Sequence, residues 1–276
     1  MVLGNISSKR LNLDKTLDCG QCFRWKKLAD GTWVGVIRDR VYLLKYIIFE
    51  GKECIVTSAQ NQEELDIIYE YFDLNRYYDI QISSNDEFAN KAYKFGEGIR
   101  ILNQDPWETL VSFIISQRNS IPRIKSTIEK ICKKYGTRIA TEVNGRVYDG
   151  YTFPSPDRLM NVDELVALGL GYRAKYVANA AKDIYNNPSL LEELMQKEIA
   201  TNEVITKLQR FNGVGLKVAN CVALFGLHKL DAFPIDVWMQ RIIDNYYNGS
   251  LDYSKYGDLA GLIQQYMFYY IKYREG

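Results

Sequence analysis

The chain is expected to fold as an α+β protein: an N-terminal antiparallel β-sheet domain with flanking helices over residues 1–97, followed by a larger, all-helical domain over residues 98–276. Three observations carry this expectation. Short β-branched and aromatic runs fill the first part, capped helix starts follow one another through the second, and turn residues rather than long linkers separate them.

In the first part the runs Cys22–Leu28, Gly31–Asp39, Arg40–Glu50 and Glu53–Ala59 read as strands, with Gly31 and Gly51 as punctuation. Helical patterns over Glu63–Tyr71 and Asn85–Gly96 complete it. From Asp105 onward the chain reads as helices. Asp105-Pro106-Trp107-Glu108 combines an N-cap acid, a first-turn proline and a capping-box glutamate ahead of an apolar stripe of Leu110, Ile114 and Ile115. Further starts are expected at Pro122, at Ser155-Pro156-Asp157, at Asn161 with Glu164, at Tyr172 and at Thr201. Gly169 and Gly171 stop the short helix before Tyr172, and the helix from Thr201 is expected to reach Phe211.

Composition narrows the chemistry. A hydrophobic content of 47% supports a real core, and no apolar run is long enough to span a bilayer. The opening residues lack the basic-then-apolar plan of a secretory leader, so a soluble, cytoplasmic protein is expected, nucleoid-associated in a prokaryote. The five cysteines are scattered, and Cys19 and Cys22 form a lone pair with no second pair at zinc-like spacing, so no metal centre is expected. The single histidine, His228, excludes a His-rich metal site and argues against a Ser-His-Asp hydrolase. Catalysis is then expected to run on carboxylates, lysine or tyrosine.

Net charge is +1, but its distribution is uneven. Acids dominate from Asn61 to Glu87. Between Arg118 and Arg146 basic residues dominate, and between Glu203 and Asp231 there is no acid at all. A polyanion fits one side of such a protein, although solvated helix faces produce the same pattern.

The informative stretch is Leu208–Cys221 (LQRFNGVGLKVANC). An apolar helix ends, Gly213 and Gly215 flank Val214 in a tight turn, and a second helix starts at once. Glycine at both places leaves backbone amides facing outward at a helix N-terminus, where phosphate binds. Gly-Val-Gly turns between helices are common, however, and alone are equally structural. Lys217 lies just inside the second helix, and Phe233-Pro234-Ile235-Asp236-Val237 opens the next, so the two helix starts can face one cleft. Amine attack on a sugar carbon needs a lysine freed of its proton, which burial favours, and a carboxylate beside it. For an isolated Lys and Asp a structural ion pair is the commoner arrangement.

Leu208–Cys221 followed by Pro234 and Asp236 resembles the helix-hairpin-helix, Gly/Pro–Asp (HhH-GPD) signature of the DNA glycosylase superfamily. Over nearly its whole length the chain is similar to the 8-oxoguanine DNA glycosylase/AP lyases, with supporting matches at Cys19–Trp25, Asp105–Thr109, Leu168–Ala174 and Ala260–Phe268. The resemblance implies a TATA-binding-protein-like sheet domain, then a helical domain, with the site in the cleft between. It implies that Lys217 forms a Schiff base with the sugar, that Asp236 is the essential acid and that no cofactor is needed. Double-stranded DNA is the implied partner of a monomer, and hairpin carbonyls leave room for a structural cation.

The same resemblance assigns base recognition to Gly20, Cys221, Gln264 and Phe268. Gln264 and Phe268 share a helical face, suiting an amide on the purine's Watson–Crick edge and a ring on its π-face. The Gly20 carbonyl corresponds to the acceptor for N7–H, which 8-oxoguanine has and guanine lacks. On DNA the matches are Gly213, Val214 and Gly215 of the hairpin, Tyr172 as a wedge, Arg123 and Arg173 on the base opposite the lesion, and Arg118, Asn119 and Trp238 nearby. Three positions depart from the family. Asn212 replaces the hairpin's usual proline, Gln117-Arg118 replaces Ser-Asn, and Trp238 stands where relatives carry a histidine near the 5′ phosphate. The competing readings are a glycosylase for another purine lesion and a non-catalytic duplex-binding protein that uses the hairpin as a clamp.

Overall fold

The computed structural model describes residues 10–275. The opening residues on which the leader reading rests lie mostly outside this range. Helix α1 (Leu13–Leu17), capped by Asn12, leads through an irregular turn to a four-stranded antiparallel meander. Its strands are β1 (Trp25–Lys27), β2 (Trp33–Ile37), β3 (Arg40–Phe49) and β4 (Lys52–Thr57), paired in the order β1-β2-β3-β4. Gly35 pairs with Trp25 and leaves room for the indole to lie across the sheet, where it donates to the Tyr71 hydroxyl at 3.0 Å. Helices α2 (Gln62–Tyr71) and α3 (Glu87–Gly96) follow.

The helical part contains α4 (Pro106–Ser116), α5 (Ile121–Tyr135), α6 (Val162–Ala167), α7 (Arg173–Asn186), α8 (Leu190–Met195), α9 (Thr201–Leu208), α10 (Leu216–Phe225), α11 (Val237–Tyr246) and α12 (Ala260–Tyr270). Asp105 caps α4 through the Glu108 amide, and Asn161 caps α6 through the Glu164 amide, as their sequence patterns demand. Two expectations shift. Pro156–Leu159 forms a 3-10 turn rather than an α-helix, and α9 stops at Leu208, short of Phe211, where the hairpin begins.

One element departs from a wholly helical second part. Strands β5 (Arg138–Val143) and β6 (Arg146–Tyr151) form a hairpin closed by Asn144 and Gly145 at φ 52° and 75°. Positive φ at both central residues is what the tight two-residue turn requires, and Asn-Gly supplies it. The hairpin lies against the meander: a Cβ at Gly150 would come within 2.9 Å of Val36 and Val41 methyls.

Two cores result. The smaller gathers Leu13, Trp25, Trp33, Tyr42, Phe72 and Leu102 around the meander. The larger runs through α4, α7, α10 and α12, and it also takes in Phe88, Ala89 and Ala92 of α3. Asp86, the N-cap of α3, accepts from the Tyr247 and Tyr256 hydroxyls at 2.7 and 2.6 Å and pairs with Lys255 at 2.8 Å. That cluster fixes α3 against the helices that build the site.

Candidate active site

The turn between α9 and α10 is built as a hairpin. Phe211 N donates to Leu208 O at 3.2 Å, Val214 N donates to Phe211 O at 3.0 Å, and the Val214 side chain is buried. Gly213 sits at φ +81°, and a Cβ there would run into the Tyr176 ring. Gly215 is the N-cap of α10, has nothing within 4 Å of a built Cβ, and no side chain caps the helix behind it. The α10 N-terminus is therefore open to an anion. Gly213→Ala should lower stability by about 1–3 kcal/mol, because both space and φ oppose it. Gly215→Ala should melt like the parent yet bind duplex DNA more weakly, since its methyl stands on the open face. Thermal melting together with a DNA titration checks both.

Lys217 is half-buried in the first turn of α10, with its Nζ 5.2 Å from the centre of the Phe113 ring. Phe113 is itself stacked on Phe225 at 5.5 Å and edged by Phe23 at 5.6 Å, so the lysine stem runs along an aromatic wall. One turn on, burial pushes the Cys221 thiol up, against the pull of the Lys217 amine at hydrogen-bond range. The Asp236 carboxylate acts weakly on the same thiol and raises it further. Asp236 caps α11, with Oδ1 accepting from Trp238 N at 3.0 Å and Met239 N at 2.9 Å. Lys217 and Asp236 form no ion pair within 4 Å, so the simple structural pairing does not account for them. Leu216, Ile235 and Val237 beside them are exposed, as is Tyr172 at the tip of α7. Clustered exposed apolar side chains of this kind mark an interaction surface.

Across the cleft, the turn after α1 carries Gly20 at φ +84°, with the Phe268 ring 3.7 Å from a built Cβ. Three buried glutamines hold that turn. Gln265 Nε2 donates to Cys19 O at 2.8 Å, Gln21 Nε2 donates to Thr16 O and Arg100 O, and Gln104 Nε2 donates to Gln21 O. Gln264 is 4% exposed, and its Oε1 has no hydrogen-bond partner. Gln264, Gln265 and Phe268 all belong to α12, so the helix that carries the unpartnered Gln264 also fixes the Gly20 turn.

The DNA-facing candidates are more dispersed. Tyr172 is half-exposed and meets Tyr176 edge-on at 5.9 Å, which links it to the hairpin through Gly213. Arg118, at φ +47°, and Arg123 are exposed, while Asn119 is half-buried and donates to Ile115 O at 3.2 Å. Arg173 is turned inward: its guanidinium donates to the carbonyls of Gln117, Arg118 and Leu170 and lies 4.5 Å from the Tyr172 ring centre. It holds the 117–118 turn against α7. Trp238 is half-buried, with the Arg241 guanidinium 4.9 Å from its ring centre, so the indole brings a cation to its position after all. Sequence reasoning missed Arg241 and Gln265, although helical spacing from Trp238 pointed to the first. Among the described residues no cluster of His, Cys, Asp or Glu could hold a metal ion, and no helix is long and apolar enough to cross a membrane.

An open hairpin ahead of a half-buried lysine, an aspartate capping the next helix and a buried acceptor without a partner fit a base-excision glycosylase of the helix-hairpin-helix class, and comparison with known proteins shows that class. Residues 4–110 match the 8-oxoguanine DNA glycosylase N-terminal domain, and residues 111–256 match the HhH-GPD superfamily of base excision DNA repair proteins. The N-glycosylase/DNA lyase of Saccharomyces cerevisiae is 32% identical over 263 residues, covering 86% of this chain and 68% of that one. Two solved structures are also similar. That of MBOgg1 in complex with a low affinity DNA ligand is 40% identical, with a TM-score of 0.84 over 97% of this chain and 94% of that one. The Clostridium acetobutylicum 8-oxoguanine glycosylase/lyase, bound to dsDNA with cytosine opposite 8-oxoG, is 36% identical, with a TM-score of 0.84 over 97% of this chain and 93% of that one. The chain belongs to the 8-oxoguanine DNA glycosylase family.

Proposed function

We propose that this enzyme excises 8-oxoguanine from duplex DNA, preferably opposite cytosine, and then nicks the strand as an AP lyase. The observation that carries the substrate is the vacant acceptor of Gln264. A buried acceptor without a partner costs about 1–3 kcal/mol, a cost removed when a ligand supplies the donor. The N1–H and N2–H groups of a purine of the guanine type do so, with Phe268 under the ring and the Gly20 carbonyl at N7–H. Guanine offers that carbonyl a lone pair instead, which favours the lesion by roughly five- to 150-fold. An alkylated purine has no use for this arrangement, and a passive clamp has no use for a half-buried lysine beside a vacant pocket.

The reaction runs in four stages. Amides of the Gly213–Gly215 hairpin bind a phosphate, Tyr172 enters the stack, and the purine swings into the pocket. Arg123 meets the orphaned cytosine, joined by Arg173 when it gives up the Gln117 carbonyl; an arginine fork suits the O2 and N3 acceptors. Lys217 attacks C1′ while the C1′–N9 pair leaves with the base, and Asp236 stabilises the cationic sugar. Ring opening gives an imine, loss of a 2′ proton follows, and the 3′ phosphate departs by β-elimination. Cys221 lines the pocket as a thiol. Asn119 and Arg118 border the gap left by the flipped base, and Trp238 with Arg241 meets the backbone. The enzyme acts as a monomer in the cytoplasm and needs no cofactor, and the hairpin carbonyls leave room for a structural cation.

Phe268→Ala should slow release of 8-oxoguanine roughly 5- to 150-fold, the value of one base stack, while nicking of an abasic duplex is nearly unchanged. Gln264→Ala should act the same way, more mildly. Equal loss on both substrates would assign these residues to the fold instead. Binding should also weaken with salt, by a log–log slope of roughly −0.9 per phosphate contacted. A flat response in a salt titration contradicts duplex binding.

A further inference from the structure

The site holds a second amine. Lys272 lies one turn beyond Phe268, in the π-helical segment Ile271–Glu275 that continues α12. It is half-buried, and its Nζ stands 5.7 Å from the centre of the Phe268 ring while donating to the Tyr273 hydroxyl at 3.1 Å. No carboxylate lies within ion-pair distance of it among the described residues: the nearby Asp18 is engaged by Lys125 at 4.0 Å and by the Tyr273 hydroxyl. Burial lowers its proton affinity, with Asp18 beyond ion-pair distance pulling the other way and Cys19, Lys125 and Asp236 acting on it more weakly.

We infer that Lys272 is a substrate-binding residue for the flipped purine, donating from Nζ to the exocyclic oxygens that flank N7. This deepens the reading of the pocket as an 8-oxoguanine site and rests on it. Stacked rings sit with centres roughly 4.5–7 Å apart, so an amine 5.7 Å from the Phe268 centre lies in the shell that the base itself enters. A purine entering there displaces the ammonium from the ring face toward the edge held by the Gly20 turn. On that edge 8-oxoguanine presents two oxygens, O6 and O8. The contact also gains strength during reaction. When the C1′–N9 bond breaks, its electron pair leaves with the purine, and the new negative charge spreads to those oxygens. An ammonium held at that edge stabilises the charge without giving up its proton. Lys217 remains the nucleophile. Lys272 takes no part in the lyase step, because no base is then present.

The test compares the parent, Lys272→Met and Lys272→Arg on an 8-oxoguanine·cytosine duplex, an abasic duplex and an undamaged duplex. Lys272→Met should lower single-turnover excision of 8-oxoguanine about 10- to 100-fold, leave abasic nicking within about threefold, and leave affinity for the undamaged duplex unchanged. Lys272→Arg should recover most of the excision rate, since charge and donors return. An equal loss on both damaged substrates, a drop in undamaged-duplex affinity that marks a phosphate contact, or no loss at all would each overturn the assignment. A parent that nicks abasic DNA but leaves 8-oxoguanine in place overturns the substrate reading and this assignment together. A parent that excises, with Lys272→Met unchanged, overturns this assignment alone.

Discussion

Lys217→Gln is expected to lower excision of 8-oxoguanine by about 10⁴-fold or more, the scale seen when an enzyme loses its nucleophile. Affinity for duplex DNA should remain within a few-fold of the parent. The reason is local. Lys217 leans on the Phe113 ring and lies near Cys221, but no ion pair among the described residues depends on its charge. Glutamine keeps most of the stem and removes the amine. The hairpin amides that meet the phosphate precede it and are untouched. Single-turnover release of base, measured beside a binding isotherm on the same duplex, checks both halves. Base release at the parental rate would move the nucleophile elsewhere.

Asp236→Asn should cost about 10²–10³-fold in excision, the range for removing one preorganised electrostatic contact to a transition state. Stability should change by less than about 0.5 kcal/mol. Asp236 has two jobs, and this substitution separates them. Its Oδ1 caps α11 through the Trp238 and Met239 amides, and asparagine caps about as well as aspartate. The negative charge that the proposed mechanism sets against the sugar is lost while the helix start stays in place. Asp236→Ala removes both and should also lose about 1 kcal/mol of stability. Melting curves and rates for the pair distinguish chemistry from capping. If Asp236→Asn excised normally, the carboxylate would be a cap only.

Much of this architecture was legible from the sequence because local signals and the global fold agree. The four strands of the meander fall on the four β-branched runs to within one residue, β4 starting at Lys52 just ahead of its run, and the caps at Asp105 and Asn161 form as written. The β5–β6 hairpin was also present in the sequence, as Asn144-Gly145 between alternating side chains, but it stood inside a stretch dominated by helix starts and was read as part of them. The site divides along a different line. The hairpin is a local pattern that spacing shows, whereas the roles of Lys217 and Asp236 come from the family resemblance. Gln265 cannot be read from spacing: its value lies in a bond to Cys19, 246 positions away, which only the folded chain creates. Arg173 shows the reverse. A helix-start arginine reads as a free contact, yet folding turns it onto three backbone carbonyls. Lys272 has no counterpart among the matched motifs. Its meaning appears only when Phe268 and the Gly20 turn are seen together.

Borohydride trapping on an 8-oxoguanine·cytosine duplex, followed by peptide mapping of the adduct, bears most directly on the proposed chemistry. Reduction of an imine joins protein and sugar irreversibly, so the trapped residue is the nucleophile. The expected result is one covalent adduct, on Lys217, formed with the lesion duplex and absent with an undamaged guanine duplex. Base release without any adduct, or an adduct on Lys272 in place of Lys217, would contradict it.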